Sequence, residues 1–234
     1  MKTYFFLMIT FFVGLMMVVS LNSCTEEITK NEEPSSEDLT IADFSKAIEI
    51  NPNDAKAYFN RGIAKTDLED YRGAIADYSK AIEINPNYAE AYYNRGNAKY
   101  ELEDYRGAIA DHSIAIEINP NASGAYNNRG NAKSDLEDYR GAIADYSKAI
   151  EINPNDVDAY YNRGNAKYDL EDYRGAIADF SKAIEINPND AEAYSNRGIA
   201  MIKLGQKDSG CLDLSKAGEL GLFDAYDVIK EYCN

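Results

Sequence analysis

The triplet Asn-Arg-Gly occurs five times, at 60–62, 94–96, 128–130, 162–164 and 196–198, always 34 residues apart. The flanking residues repeat with it, so near-copies of one 34-residue unit begin at Ala55, Ala89, Ser123, Val157 and Ala191. A fixed period between about 20 and 50 residues marks a solenoid, in which no unit buries its apolar face alone and each stacks on the next. The 234 residues are therefore to be counted in units and not in ordinary domains with one central core.

In the unit that begins at Ala89, Ala91, Tyr92, Gly96 and Lys99 follow helical spacing, with the small Gly96 where another backbone comes close. A second stripe, Ala108, Ile109, His112, Ala115 and Ile116, steps at i, i+3/i+4 and i+7, as an amphipathic helix does. Asn119-Pro120 ends it, because the residue before a proline is driven out of the α region. Asp104 is the expected N-cap of this second helix, which leaves only a short turn before it. The unit is a helical hairpin, and the predicted fold class is all-α.

These residues resemble the tetratricopeptide repeat. With the first residue of each unit as position 1, the family's small residues at 8, 20 and 27 and its proline at 32 are Gly96, Ala108, Ala115 and Pro120. Its aromatics at 4 and 17 are Tyr92 and Tyr105, whereas Arg95, Lys99 and His112 depart from its usual residues at 7, 11 and 24. The resemblance implies a right-handed superhelix of helix pairs with a concave groove. On this register 38–54 is a half repeat with the second helix only, since Phe44, Ala47 and Pro52 hold positions 24, 27 and 32. Whole repeats follow at 55–88, 89–122, 123–156 and 157–190, then a divergent fifth at 191–221 and a capping helix over 222–234. Ser35-Ser-Glu-Asp38 offers a capping box to open the array.

The start of the chain differs in kind. Met1-Lys-Thr precedes an almost wholly apolar run from Tyr4 to Ser20, the pattern of a secretory signal. The run is also about long enough for an uncleaved anchor. Leu21-Asn22-Ser23-Cys24 resembles the bacterial lipobox, which implies cleavage after residue 23, acylation of Cys24 and export to a lipid-anchored place in the envelope, the outer membrane being the expected one. Residues 24–37 are polar and acidic and read as a flexible tether. Acids soon after the lipidated Cys also resemble the surface-export signals of some Bacteroidetes lipoproteins, so the periplasmic and surface faces both stay open. Cys211 and Cys233, in an exported protein, read either as a disulfide over the last helices or as two packed thiols.

No catalytic constellation is present: there is no phosphate loop and no nucleophile elbow, and one histidine, His112, stands where sister repeats carry Tyr78, Tyr146 and Phe180. No metal site and no cofactor are expected, and a formal charge of −16 speaks against nucleic acid as a partner. Arg61, Arg95, Arg129, Arg163 and Arg197 recur at position 7 with Asp77, Asp111, Asp145, Asp179 and Asp213 at position 23, the residue types of a fork-like clamp between helices. Asp43, which has no arginine in its own half repeat, favours a clamp between repeats over one within them.

Variation among the copies gathers at positions 2, 5, 9 and 12, one face of the first helix, and it brings in tyrosine, phenylalanine and isoleucine. In the family this face lines the groove. Beside it, position 6 is asparagine in every repeat (Asn60, Asn94, Asn128, Asn162 and Asn196), a side chain able to hold a peptide backbone or to bond within its own hairpin. The expected groove site comprises these asparagines with Tyr93, Asn97, Tyr100, Asn131, Tyr161, Asn165 and Tyr168. The expected activity is non-enzymatic scaffolding: a protein or peptide partner, as an extended segment or a helix, held in the groove, with the membrane reached only through the lipid. The alternative is a structural subunit of an outer-membrane complex that docks through its convex face.

Overall fold

The computed structural model describes residues 36–233. The leader, Cys24, the tether up to residue 35 and the Ser35 cap lie outside the described residues. Among those described there are twelve helices and no strand. Helix α1 (Ser36–Ile50) stands without a hairpin partner. Five hairpins follow: α2 (Ala55–Asp67) with α3 (Tyr71–Ile84), α4 (Ala89–Glu101) with α5 (Tyr105–Ile118), and α6 (Ser123–Asp135) with α7 (Tyr139–Ile152). Then come α8 (Val157–Asp169) with α9 (Tyr173–Ile186) and α10 (Ala191–Lys203) with α11 (Lys207–Glu219), and α12 (Ala225–Tyr232) lies over the end. No helix among the described residues is long and apolar enough to cross a membrane.

The first four hairpin turns are built by their Leu-Glu-Asp residues. Asp70, Asp104, Asp138 and Asp172 cap the second helix, each carboxylate accepting from the backbone N–H three residues on at 3.0 Å. The preceding Glu69, Glu103, Glu137 and Glu171 adopt φ of 59–60°, the left-handed region that a side chain disfavours. The fifth repeat has Gly205 in that place, at φ 80°. Between repeats, Asn85 and its equivalents leave the helix in extended conformation and accept from the amide two residues on, an Asx turn set by the intervening proline.

The core is made of small residues with one ring in each of the first four whole repeats and Leu214 in the fifth. Ala74, Ala81, Ala91 and Ala98 and their equivalents are fully buried, which lets helices approach closely. Gly62 receives the Tyr78 ring so tightly that an added Cβ would lie 2.6 Å from it; Gly130 with Tyr146 and Gly164 with Phe180 repeat the fit. In the second repeat the ring facing Gly96 is His112, fully buried with no partner for either nitrogen among the described residues. Burial lowers its pKa to about 4. The imidazole is therefore neutral at pH 7 and serves as a core ring, not as a base or a ligand.

The recurrent Arg and Asp meet within one repeat, not between repeats. Arg61 donates through Nε and Nη2 to both oxygens of Asp77 at 2.8 and 2.7 Å, and its third arm, Nη1, donates to Ser45 Oγ of the preceding helix at 3.0 Å. The same three bonds recur from Arg95, Arg129, Arg163 and Arg197, to Ser79, Ser113, Ser147 and Ser181. The planar fork explains the correction: its bidentate edge suits a carboxylate, and the remaining N–H reaches across the joint. Asp43 is left out because Arg61 takes Ser45 from the half repeat. Lys65, Lys99, Lys133 and Lys167 add a second cation to the buried Asp of their repeats. Each guanidinium also lies 5.4–5.6 Å over the tyrosine three residues before it.

At the C-terminal end Leu214, Ala217 and Ala225 are buried, with Leu222, Val228 and Ile229 packed against them. Cys211 on α11 and Cys233 after α12 are joined, Cα to Cα 6.0 Å.

Candidate functional site

First helices of successive repeats (α2, α4, α6, α8 and α10) touch one another along one side of the solenoid, which makes that side the inner one. The side chains expected for the groove stand there at positions 5, 6, 9 and 12. The asparagines at position 6 take a role that the sequence did not reveal: three of them bridge repeats. Asn128 Nδ2 donates to Tyr93 OH at 3.1 Å and to Asn97 Oδ1 at 2.8 Å. Asn196 does the same to Tyr161 OH and Asn165 Oδ1, both at 3.0 Å, and Asn162 donates to Asn131 Oδ1 at 3.1 Å. The chemistry explains where the ladder begins. Asn94 would need partners at positions 5 and 9 of the first repeat, which hold Phe59 and Ile63, and Asn94 and Asn60 make no side-chain hydrogen bond among the described residues.

Tyrosines fill the spaces between amides. Tyr161 OH donates to Glu192 Oε2 at 3.1 Å, and Tyr100 OH donates to Asp135 Oδ2 at 2.5 Å. Burial and that carboxylate push the Tyr100 phenol well above its ordinary range, so it stays a donor at any physiological pH. Tyr100 and Tyr168 each meet a second ring edge-on, Tyr105 at 5.3 Å and Tyr173 at 5.2 Å. Among the described residues, open recesses follow the inner surface. One of 310 Å³ lies beside Tyr93 where Ala122 and Gly124 are small, and one of 280 Å³ is lined by Asn97, Tyr100, Glu101, Asn128 and Asn131. One of 440 Å³ lies among Asn127, Asp158, Tyr161, Asn162, Asp190 and Glu192, and one of 410 Å³ beside Asn165, Tyr168, Asp169 and Asn196. The predicted residues are thus brought together as one surface, except Asn60 and Asn94, which line none of these recesses. The acidic members, Glu90, Glu101, Asp158, Asp169, Asp190 and Glu192, were not read from sequence as site residues, although Glu90, Asp158 and Glu192 stand at the variable position 2. Among the described residues no group of three metal-ligating side chains is found.

A solenoid of helical hairpins whose inner face carries amides, tyrosines and carboxylates defines a class of interaction scaffolds. Tetratricopeptide repeat models match residues 44–76, 64–102, 89–122, 130–170 and 164–205, and the chain belongs to the tetratricopeptide repeat family, whose members are generally non-enzymatic and bind protein or peptide partners. Similar solved structures include YrrB, described as a TPR protein with an unusual peptide-binding site, at 26% identity and TM-score 0.70 over 80% of this chain and 97% of that one. MamA aligns at 27% identity and TM-score 0.67 over 70% of this chain and 96% of its own. The C-terminal part of a TPR repeat-containing protein from Cytophaga hutchinsonii, at 20% identity, TM-score 0.71 and 82% and 81% coverage, shares the fold. No curated protein matches the chain.

Proposed function

We propose that this protein is an interaction scaffold held at a bacterial envelope by a lipid on Cys24, and that its groove holds an extended peptide segment of a partner. The observation that carries the reading is the continuous inner row of tyrosines and amides with open recesses between them. Such a surface offers backbone donors and acceptors together with rigid aromatic area, the features of a binding hot spot. The peptide-binding site described for YrrB, a protein of similar fold, supports it. An N-terminal leader ending in Leu21-Asn22-Ser23-Cys24 supports the anchoring half of the reading.

The groove reading is tested with a photo-crosslinking amino acid placed at Tyr100 or Tyr168, or on the exposed side of the second helices at Glu117 or Glu151, in cells that make the full chain. Adducts from Tyr100 and Tyr168 are expected. Adducts confined to Glu117 and Glu151 would refute groove binding in favour of docking through the outer face. For the anchor, Cys24→Ala is expected to abolish labelling by a fatty-acid probe, and undiminished labelling would discard that part.

A further inference from the structure

We propose that the segment seated in the groove is basic, and that an arginine side chain from it enters the recess between the third and fifth repeats. This rests on the reading of the groove as a peptide site and names the chemistry of the peptide. The recess, 440 Å³ in volume, gathers three carboxylates, Asp158, Asp190 and Glu192, with the amides Asn127 and Asn162, and no lysine or arginine lines it. None of the three carboxylates makes an ion pair among the described residues; Glu192 has only the Tyr161 hydroxyl, and Asp190 only the Ala193 amide it caps. Nearby cations are unavailable, because Arg129 and Lys133 hold Asp145 while Arg163 and Lys167 hold Asp179.

The imbalance extends along the groove. Glu101 lines the recess of 280 Å³ and Asp169 that of 410 Å³, again without a basic residue in either wall. A concave surface of one sign focuses its field on an opposite charge, so these three recesses attract cations, and Lys203, in a recess beside Tyr168 and Ile199, bounds the acidic stretch. At the recess itself the acceptors outnumber the donors. Asn127 Oδ1 is buried with no donor, and Asn128 has both amide hydrogens engaged on Tyr93 and Asn97, leaving its oxygen. A guanidinium presents several N–H donors in one plane and joins carboxylate and amide oxygens at once, which a compact ammonium does not.

The test is selection of random peptides displayed on phage against the full chain in detergent micelles, with groove binding assigned by crosslinking from Tyr100 and Tyr168. Groove-bound clones are expected to share an arginine. Its replacement by citrulline, which keeps the shape and removes the charge, is expected to weaken binding by roughly tenfold or more. The variant Asp158→Asn with Glu192→Gln, whose two side chains are exposed, is expected to cost the arginine peptide a similar factor and the citrulline peptide nothing. Its melting curve should match that of the parent. Groove-bound clones that lack arginine, that tolerate citrulline, or that bind equally with lysine would overturn the inference while leaving the groove reading intact. Selection that yields no clone crosslinked from Tyr100 or Tyr168 would overturn both.

Discussion

Replacing His112 by phenylalanine, the ring type that Phe180 supplies to the fourth repeat, is expected to raise stability, and by more in acid than at neutrality. At pH 7 the neutral imidazole is fully buried with one donor and one acceptor unmatched, and such groups cost about 1–3 kcal/mol. Phenylalanine removes that cost and fits opposite a glycine, as Phe180 does against Gly164. Acid adds a second effect. The folded pKa, about 4, lies below the ordinary 6.5, so the unfolded chain takes up the proton first. The folded state is thus favoured fully above pH 6.5 and loses that advantage as pH falls from 6.5 through 4. A gap of that size corresponds to about 3 kcal/mol. Urea unfolding followed by circular dichroism, on parent and variant at a series of pH values, isolates the effect as a difference, since every other titrating group is shared. The difference should be flat above pH 7 and widen by about 3 kcal/mol on reaching pH 4. A difference independent of pH would refute the assignment of His112 as a neutral, partnerless core ring.

Four further outcomes are expected from the turns, joints and terminus. Glu137→Gly should stabilise by about 1 kcal/mol in thermal melts, because glycine relieves the positive φ that Gly205 already relieves in the last repeat. Asn196→Ala, which removes two bonds between repeats, should destabilise by about 1–2 kcal/mol, whereas Asn94→Ala, which removes none, should leave the urea midpoint in place. Arg129→Ala leaves buried Asp145 with one cation and Ser113 without its donor, and should cost about 3–5 kcal/mol in denaturant unfolding. Alkylation of the unfolded, unreduced protein should find neither Cys211 nor Cys233 free, and reduction should lower stability by about 3 kcal/mol; two modified thiols would refute the bridge.

The hairpin and its register were legible because each is set locally. A proline at 120, an acid at 104 and a glycine at 96 act through their own backbone neighbourhoods, and the turn, cap and close contact stand at those residues. What escaped the sequence depends on distances across joints. Arg61 and Asp77 are an obvious pair in composition, but whether Asp77 or Asp43 is the partner depends on which helix the fork meets, and Ser45 gave no signal until it was seen beside Nη1. The asparagines were legible as a row and not as bridges, since their acceptors at positions 5 and 9 vary between copies. The strained Glu137 had one clue, a glycine at the matching place in the fifth repeat, which reads as divergence until its φ is known.

Every arginine joint has the same two halves, an Nη1 that reaches back and a Ser Oγ that receives it. The plug on any repeat therefore fits the socket on any other. Excising residues 123–156 in frame would bring Arg163 opposite Ser113, with no half left over, and duplicating them would add one complete joint. The amide bridges are pickier, because Phe59 and Ile63 offer Asn94 nothing to hold. The gene is free to lengthen or shorten its array by whole units at the middle, while the first repeat and the disulfide-closed end stay fixed as its boundaries.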